Sequence, residues 1–301
     1  MTRRLALPCL FLGAVLAGAG CAPRVDPVYR RAIENWREQR AARLQRADGW
    51  LTLAGLFWLD PGRNPFGSDP SAKIVLPGRG VPPIAGAIVL ENGRARLEPS
   101  PGTALTADGH PAAPGDLASD ENGKPTVLQI GTFSFFVIRR GPKMGVRVRD
   151  TESAARKSFK GLKYFPIDPA WRVEAKFEPY SPPKQLAIPT VLGFPEDDVS
   201  PGALVFEHGG TTFRIDPVFE QGSDELFIIF GDRTNGKETY GAGRFVYAPM
   251  PKDGKTVIDF NKAYCPPCVF TPYATCPLPP PENRLPIEVR AGEKNYSGAH
   301  H

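Results

Sequence analysis

The sequence predicts an all-β protein, with antiparallel hairpins forming a sandwich or a partly open barrel, one N-terminal helix and one short internal helix. Three observations predict it. Apolar runs of strand length recur from Trp50 onward, several of them alternating with polar residues. The 34 prolines and 31 glycines are scattered between those runs as turn punctuation rather than collected in a low-complexity tract. No fixed-period repeat is present that would indicate a propeller or solenoid. At 301 residues and 41% hydrophobic, the chain is long enough to bury a sizeable core.

Arg3 and Arg4 precede an apolar run, Leu5 to Gly20, which ends in small residues at Cys21. This reads as a signal peptide over residues 1–20, too short for a spanning helix. A cysteine directly after small residues resembles a bacterial lipoprotein signal, in which Cys21 is lipidated and becomes the mature N-terminus. Cleavage after Ala17-Gly18-Ala19, releasing a soluble protein, is the alternative. Either reading puts the folded part outside the cytoplasm, in the cell envelope facing the periplasm or beyond, where disulfides are permitted. The formal net charge is +5, but basic and acidic residues are interleaved and no nucleic-acid signature emerges.

Residues 21–49 are expected to hold the anchor and a docking helix. Asp26 can cap that helix, Pro27 suits its first turn and Gly49 follows its end. Tyr29, Ile33, Trp36 and Leu44 fall on one stripe of it. Residues 50–296 are read as a single β-rich domain and 297–301 as a disordered tail. Within the domain, Trp50 to Leu59 is buried strand structure broken at Gly55, Asn92-Gly93 marks a hairpin turn, and a short helix falls at about Glu152 to Phe159. In GVRVRD, Arg147 and Arg149 share one face, solvated or facing an anion, and Val146 and Val148 the other. Asn235-Gly236 predicts a two-residue hairpin that would set Arg233 opposite Glu238 and Phe227 opposite Arg244.

That register places Glu238, Tyr240 and Arg244 on one face. A guanidinium among Phe227 and Ile229 needs a carboxylate partner, such as Glu238 or Glu293, or an anionic ligand. The stretch from Asp259 to Arg284 is the most unusual in the chain, with three cysteines and seven prolines. If it folds across the end of the hairpin, Asp232, Arg244, Asn261, Tyr264, Asn283 and Arg284 would line a polar cleft for a small polar or anionic ligand. Glu238 or Glu293 as base and Tyr240 as acid would make the same cleft a carboxylate-based hydrolase. A structural envelope protein without a pocket is the third reading.

Cys265-Pro266-Pro267-Cys268 suggests thiol exchange, but it follows a strand and opens no helix pattern. A structural disulfide between Cys268 and Cys276 is the simpler expectation, leaving Cys265 as the odd thiol. Three cysteines would need a fourth metal ligand, and His110 and His208 lie far off in loop-like contexts, so neither metal nor cofactor is expected. No G-x-S-x-G elbow, P-loop, G-x-G-x-x-G or H-E-x-x-H occurs.

GWLTLAGLFWL, GVRVRD with FKGLKYFP, ETYGAGRF, and DFNKAY through CPLPPPENR with AGEK resemble the bacterial family of unknown function catalogued as domain of unknown function 1684. The resemblance spans about Trp50 to Lys294 and implies a β-rich bacterial protein, with no established activity, cofactor or catalytic residue to carry over. Members usually read AYNPPC, so Cys265 stands where asparagine is expected.

Overall fold

The computed structural model describes residues 25–220 and 222–298. The segment expected to be a signal, and Cys21, lie outside the described residues, as do 299–301. The N-terminal helix runs Pro27–Gln45, with the Asp26 carboxylate accepting from the Tyr29 N–H at 2.9 Å. Its buried face carries Ile33, Arg40 and Leu44, so the stripe from Tyr29 includes an arginine. The short internal helix is Ala154–Lys157, capped by Ser153.

Two open sheets stack in the first half. One is ordered Leu53–Trp58, Lys143–Asp150, Phe133–Arg140, Leu128–Ile130, Thr106–Ala107 and His110–Pro111. The other is ordered Ile74–Val75, Gly62–Gly67, Gly86–Glu91, Arg94–Pro99 and Gly115–Leu117. Alternation drives the stacking, because Val146 and Val148 point with Phe135 into one core, where Phe66 meets Phe135 edge-on at 5.2 Å. Gly55 sits at an irregularity in the pairing of the Leu53 strand, as its break in the apolar run foretold. Asn92 and Gly93 both take positive φ, 49° and 72°, and close the hairpin in which Glu91 faces Arg94.

The second half is another pair of open sheets. A long hairpin, Arg172–Ile188 with Glu196–His208, is flanked by Thr211–Ile215 and Lys255–Asp259. Val218–Phe219, Glu225–Phe230 and Arg244–Pro249 make the facing sheet. Phe260 is fully buried between them, with ring centroids 5.2 Å from Phe230 and 5.7 Å from Phe206. Truncating such a ring costs about 3–5 kcal/mol. Among the described residues no sheet closes into a barrel.

The hairpin read from Asn235-Gly236 is not formed. Glu225–Phe230 pairs with Arg244–Pro249 so that Phe230, not Phe227, faces Arg244, and a loop from Gly231 to Gly243 joins them. The reason is side-chain competition for the backbone. The Asn235 amide accepts from the Asp232 N–H at 2.7 Å and donates to Thr239, while the Thr234 carbonyl accepts from three successive N–H groups. Beyond Asp259 the chain has little regular structure and is pinned by isolated backbone bonds, Tyr264 to Phe245 and Leu285 to Gly231 among them.

Candidate ligand-binding cleft

Where the two halves and the helix meet lies a cavity of about 1400 Å³. Trp36 and Arg40 of the helix, Arg140 and Arg147 of the first half, and Tyr247 and Tyr264 of the second are among its walls. The wall from the helix is fixed by buried contacts. Arg40 donates to the Cys265 carbonyl at 2.9 Å, lies 4.6 Å over the Tyr264 ring and pairs with Glu293 at 3.4 Å. Tyr264 in turn stacks on Tyr247 at 6.3 Å, giving one side of the cavity a flat aromatic surface.

The chemistry concentrates at Arg147. The alternation that sends Val146 and Val148 into the first core sends Arg147 the other way, under the second half and against the Trp50 ring at 5.5 Å. It is only 4% exposed, yet no carboxylate stands within ion-pair distance among the described residues. Its Nη2 donates to the Thr275 hydroxyl at 3.1 Å and its Nε has no partner. Burial pushes the guanidinium down to about 10, helped by the nearby charge of Arg140 and only partly opposed by that of Asp120. Arg140 donates to the same Thr275 oxygen at 3.0 Å and pairs with Asp120 at 2.8 Å. Two guanidinium groups thus converge on one neutral hydroxyl, a set of donors with less acceptor than it can use.

The residues read from sequence as the polar cleft separate into two groups. Arg244 is fully buried and is not available to an anion. It pairs with Asp232 at 2.8 Å and donates to the carbonyls of Val289, at 2.7 Å, and Ala291. Its partner is Asp232 rather than Glu238 or Glu293 because the Gly231–Gly243 loop turns the Asp232 carboxylate inward. Asn283 is buried and holds the Asp216 N–H and two carbonyls, of Asp216 and Ile229. Asn261 does the same for the backbone of Asp168. Arg284 is exposed beside Gly231. Of the six residues, Tyr264 alone lines the cavity.

The three candidate catalytic groups share no position on the cavity wall. Glu238 pairs with Arg290 at 3.1 Å and Lys294 at 3.4 Å. Tyr240 packs in the cluster around Cys265 and Phe270, and burial pushes its hydroxyl up to about 12. Glu293 is completely buried, with burial raising its carboxyl and Oε1 left without a partner. Cys268 and Cys276 are free thiols rather than a disulfide, and the Cys276 sulfur accepts from the Cys268 N–H at 3.2 Å. Among the described residues no cluster of metal-ligand type is present.

Residues 157–294 match a family described as Protein of unknown function (DUF1684). The chain belongs to this family. The match takes in the second half and the cysteine-rich segment, whereas GWLTLAGLFWL and GVRVRD, with Arg147, precede it. The solution NMR structure of an uncharacterized protein from Haloarcula marismortui is 31% identical over 48% of this chain and 81% of that one, with a TM-score of 0.40. An FHA-domain structure, from work on phosphothreonine-dependent interactions, is 20% identical over 31% of this chain and 92% of that one, with a TM-score of 0.23. Both superpositions are distant and neither bears on the cleft. No curated protein matches the chain.

Sequence reasoning found Arg147 as a strand arginine with two possible roles but missed Arg40, Arg140 and Thr275. Arg40 had a signal, since it continues the spacing of Tyr29, Ile33 and Trp36 to Leu44. Arg140 and Thr275 had none, because they meet across the two halves.

Proposed function

We propose that the protein is an exported cell-envelope protein, lipid-anchored at Cys21, that binds a small anionic ligand with a planar or apolar body in this cleft. The observation that carries the reading is Arg147, buried without a carboxylate and converging with Arg140 on Thr275. A buried cation without an ion pair of its own is costly, and an oxyanion offers both a partner charge and the acceptors it lacks. The Tyr247 and Tyr264 rings, beside Trp36, supply the apolar surface for the rest of the ligand.

Calorimetric titration with phenyl phosphate, with phenol as the uncharged comparison, tests the reading. The wild-type protein is expected to bind phenyl phosphate and not phenol, and Arg147→Met to lose that binding. Equal affinity of wild type and Arg147→Met for phenyl phosphate, or no binding to either, would overturn it. The anchor is tested separately: Cys21→Ser should move the protein from the membrane fraction to the soluble one.

A further inference from the structure

The cysteine-rich segment contains chemistry that ligand binding does not use. Cys268 lies half-buried in the short turn Pro267–Val269, and Cys276 is buried on the cavity wall beside Thr275. The fold has brought the two together, with the Cys268 N–H donating to the Cys276 sulfur at 3.2 Å. The remaining cysteine of the segment is placed differently. Cys265 is fully buried, donates to the Lys294 carbonyl at 3.5 Å and lies near the Glu293 carboxyl, and burial pushes its thiol far up.

We propose that Cys268 and Cys276 form a redox-active thiol pair, with Cys268 the attacking and Cys276 the resolving sulfur, that closes to a disulfide by exchange with a low-molecular-weight disulfide. The Cys268 thiolate attacks one sulfur of the small disulfide, forming a mixed disulfide and releasing one thiolate. The Cys276 sulfur then gives up its proton, attacks Cys268 and displaces the second thiolate. The two protein thiols are oxidised, and the small disulfide is reduced to two thiols that carry away the two protons.

Three features select Cys268 as the attacker. It is the more accessible of the pair. The neighbouring Cys276 thiol lowers the Cys268 thiol below the ordinary value, with the Arg147 charge adding to the effect. The same closeness raises the Cys276 thiol, which suits a group that reacts second. The functional spacing is therefore Cys268 to Cys276 and not the C-P-P-C of Cys265 and Cys268. Closure would tie the Pro267–Val269 turn to the residue next to Thr275, joining redox state to the hydroxyl on which Arg140 and Arg147 converge.

The test exposes the mature protein, purified from the membrane fraction, to oxidised glutathione at neutral pH, followed by mass spectrometry and peptide mapping. Wild type and Cys265→Ser are expected to lose two thiols, retain no glutathione and yield one cross-linked peptide joining Cys268 to Cys276. Cys276→Ser should keep one glutathionyl group on Cys268, and Arg147→Met should slow the first step several-fold with its circular dichroism unchanged. A cross-link from Cys265, or unmodified Cys268 in wild type and Cys276→Ser alike, would overturn the proposal. Should Cys276→Ser fail to fold, the wild-type and Cys265→Ser maps decide alone. Thiol mapping is independent of phenyl phosphate titration, so either proposal can fail without the other.

Discussion

Arg147→Met should make the unliganded protein more stable while weakening its affinity for anions. The fall of the Arg147 guanidinium to about 10 corresponds, at 1.36 kcal/mol per tenfold, to about 3 kcal/mol that folding loses by carrying this charge at neutral pH. Met keeps an unbranched apolar stem against Trp50 and gives up one hydrogen bond from a charged donor, to Thr275, worth about 2 kcal/mol. The balance is a gain of about 1 kcal/mol, or a rise in Tm of roughly 2–4 °C for a chain of this order of size. Loss of a charge-assisted bond to the ligand, about 1.5–3 kcal/mol, weakens phenyl phosphate binding by roughly 10- to 100-fold. Scanning calorimetry with and without phenyl phosphate reads both effects. A lower Tm for the unliganded variant would refute the reasoning, because it would mean that Arg147 is already satisfied by the fold.

Arg244→Ala is the contrasting case. It leaves Asp232 buried without its partner and frees the carbonyls of Val289 and Ala291. Urea denaturation should show a loss of about 3–5 kcal/mol, with phenyl phosphate affinity unchanged in the folded protein. Asn283→Ala removes three hydrogen bonds to buried backbone groups and should cost about 2–4 kcal/mol in the same assay, again without altering the titration. Glu293 sets a pH dependence. Burial raises its carboxyl in the folded state, so the folded protein holds that proton more tightly than the unfolded chain. Its contribution is fully present below the ordinary carboxylate value of about 4.3 and is lost as pH rises toward the raised value. The wild-type denaturation midpoint, minus that of Glu293→Gln, should therefore decline as pH rises from about 4; a rising difference would contradict this assignment.

Much of the fold was legible because the decisive signals are local. The cap at Asp26, the Asn92-Gly93 turn, the break at Gly55 and the period-2 alternation of GVRVRD each act within a few residues, and each is realised. Asn235-Gly236 is local too, yet it misled. The same dipeptide chemistry serves a hairpin turn or a side-chain-bonded loop, and the neighbours Asp232, Thr234 and Thr239 tip it to the loop. That error displaced Arg244 by a register and suggested partners it does not have.

The exchange of roles between the two arginines follows from the same distinction. Both lie on strands with apolar neighbours, and sequence alone gives Arg244 a carboxylate or a ligand and Arg147 solvent or an anion. Arg244 finds its carboxylate nearby, at Asp232, because the connecting loop folds back on itself. Arg147 has acidic neighbours in sequence, Asp150 and Glu152, but the strand turns it away from them and under a surface contributed by Trp50 and Thr275. Whether a buried charge is satisfied depends on which distant groups the packing of the two halves delivers. Arg147 receives a second cation, Arg140, and the Thr275 hydroxyl, while the Asp120 carboxylate near it is paired with Arg140 and only partly offsets its charge. A charge that the fold buries without an ion pair of its own is stable in the folded chain only at a cost, and a bound oxyanion would relieve it. That places the candidate site at Arg147.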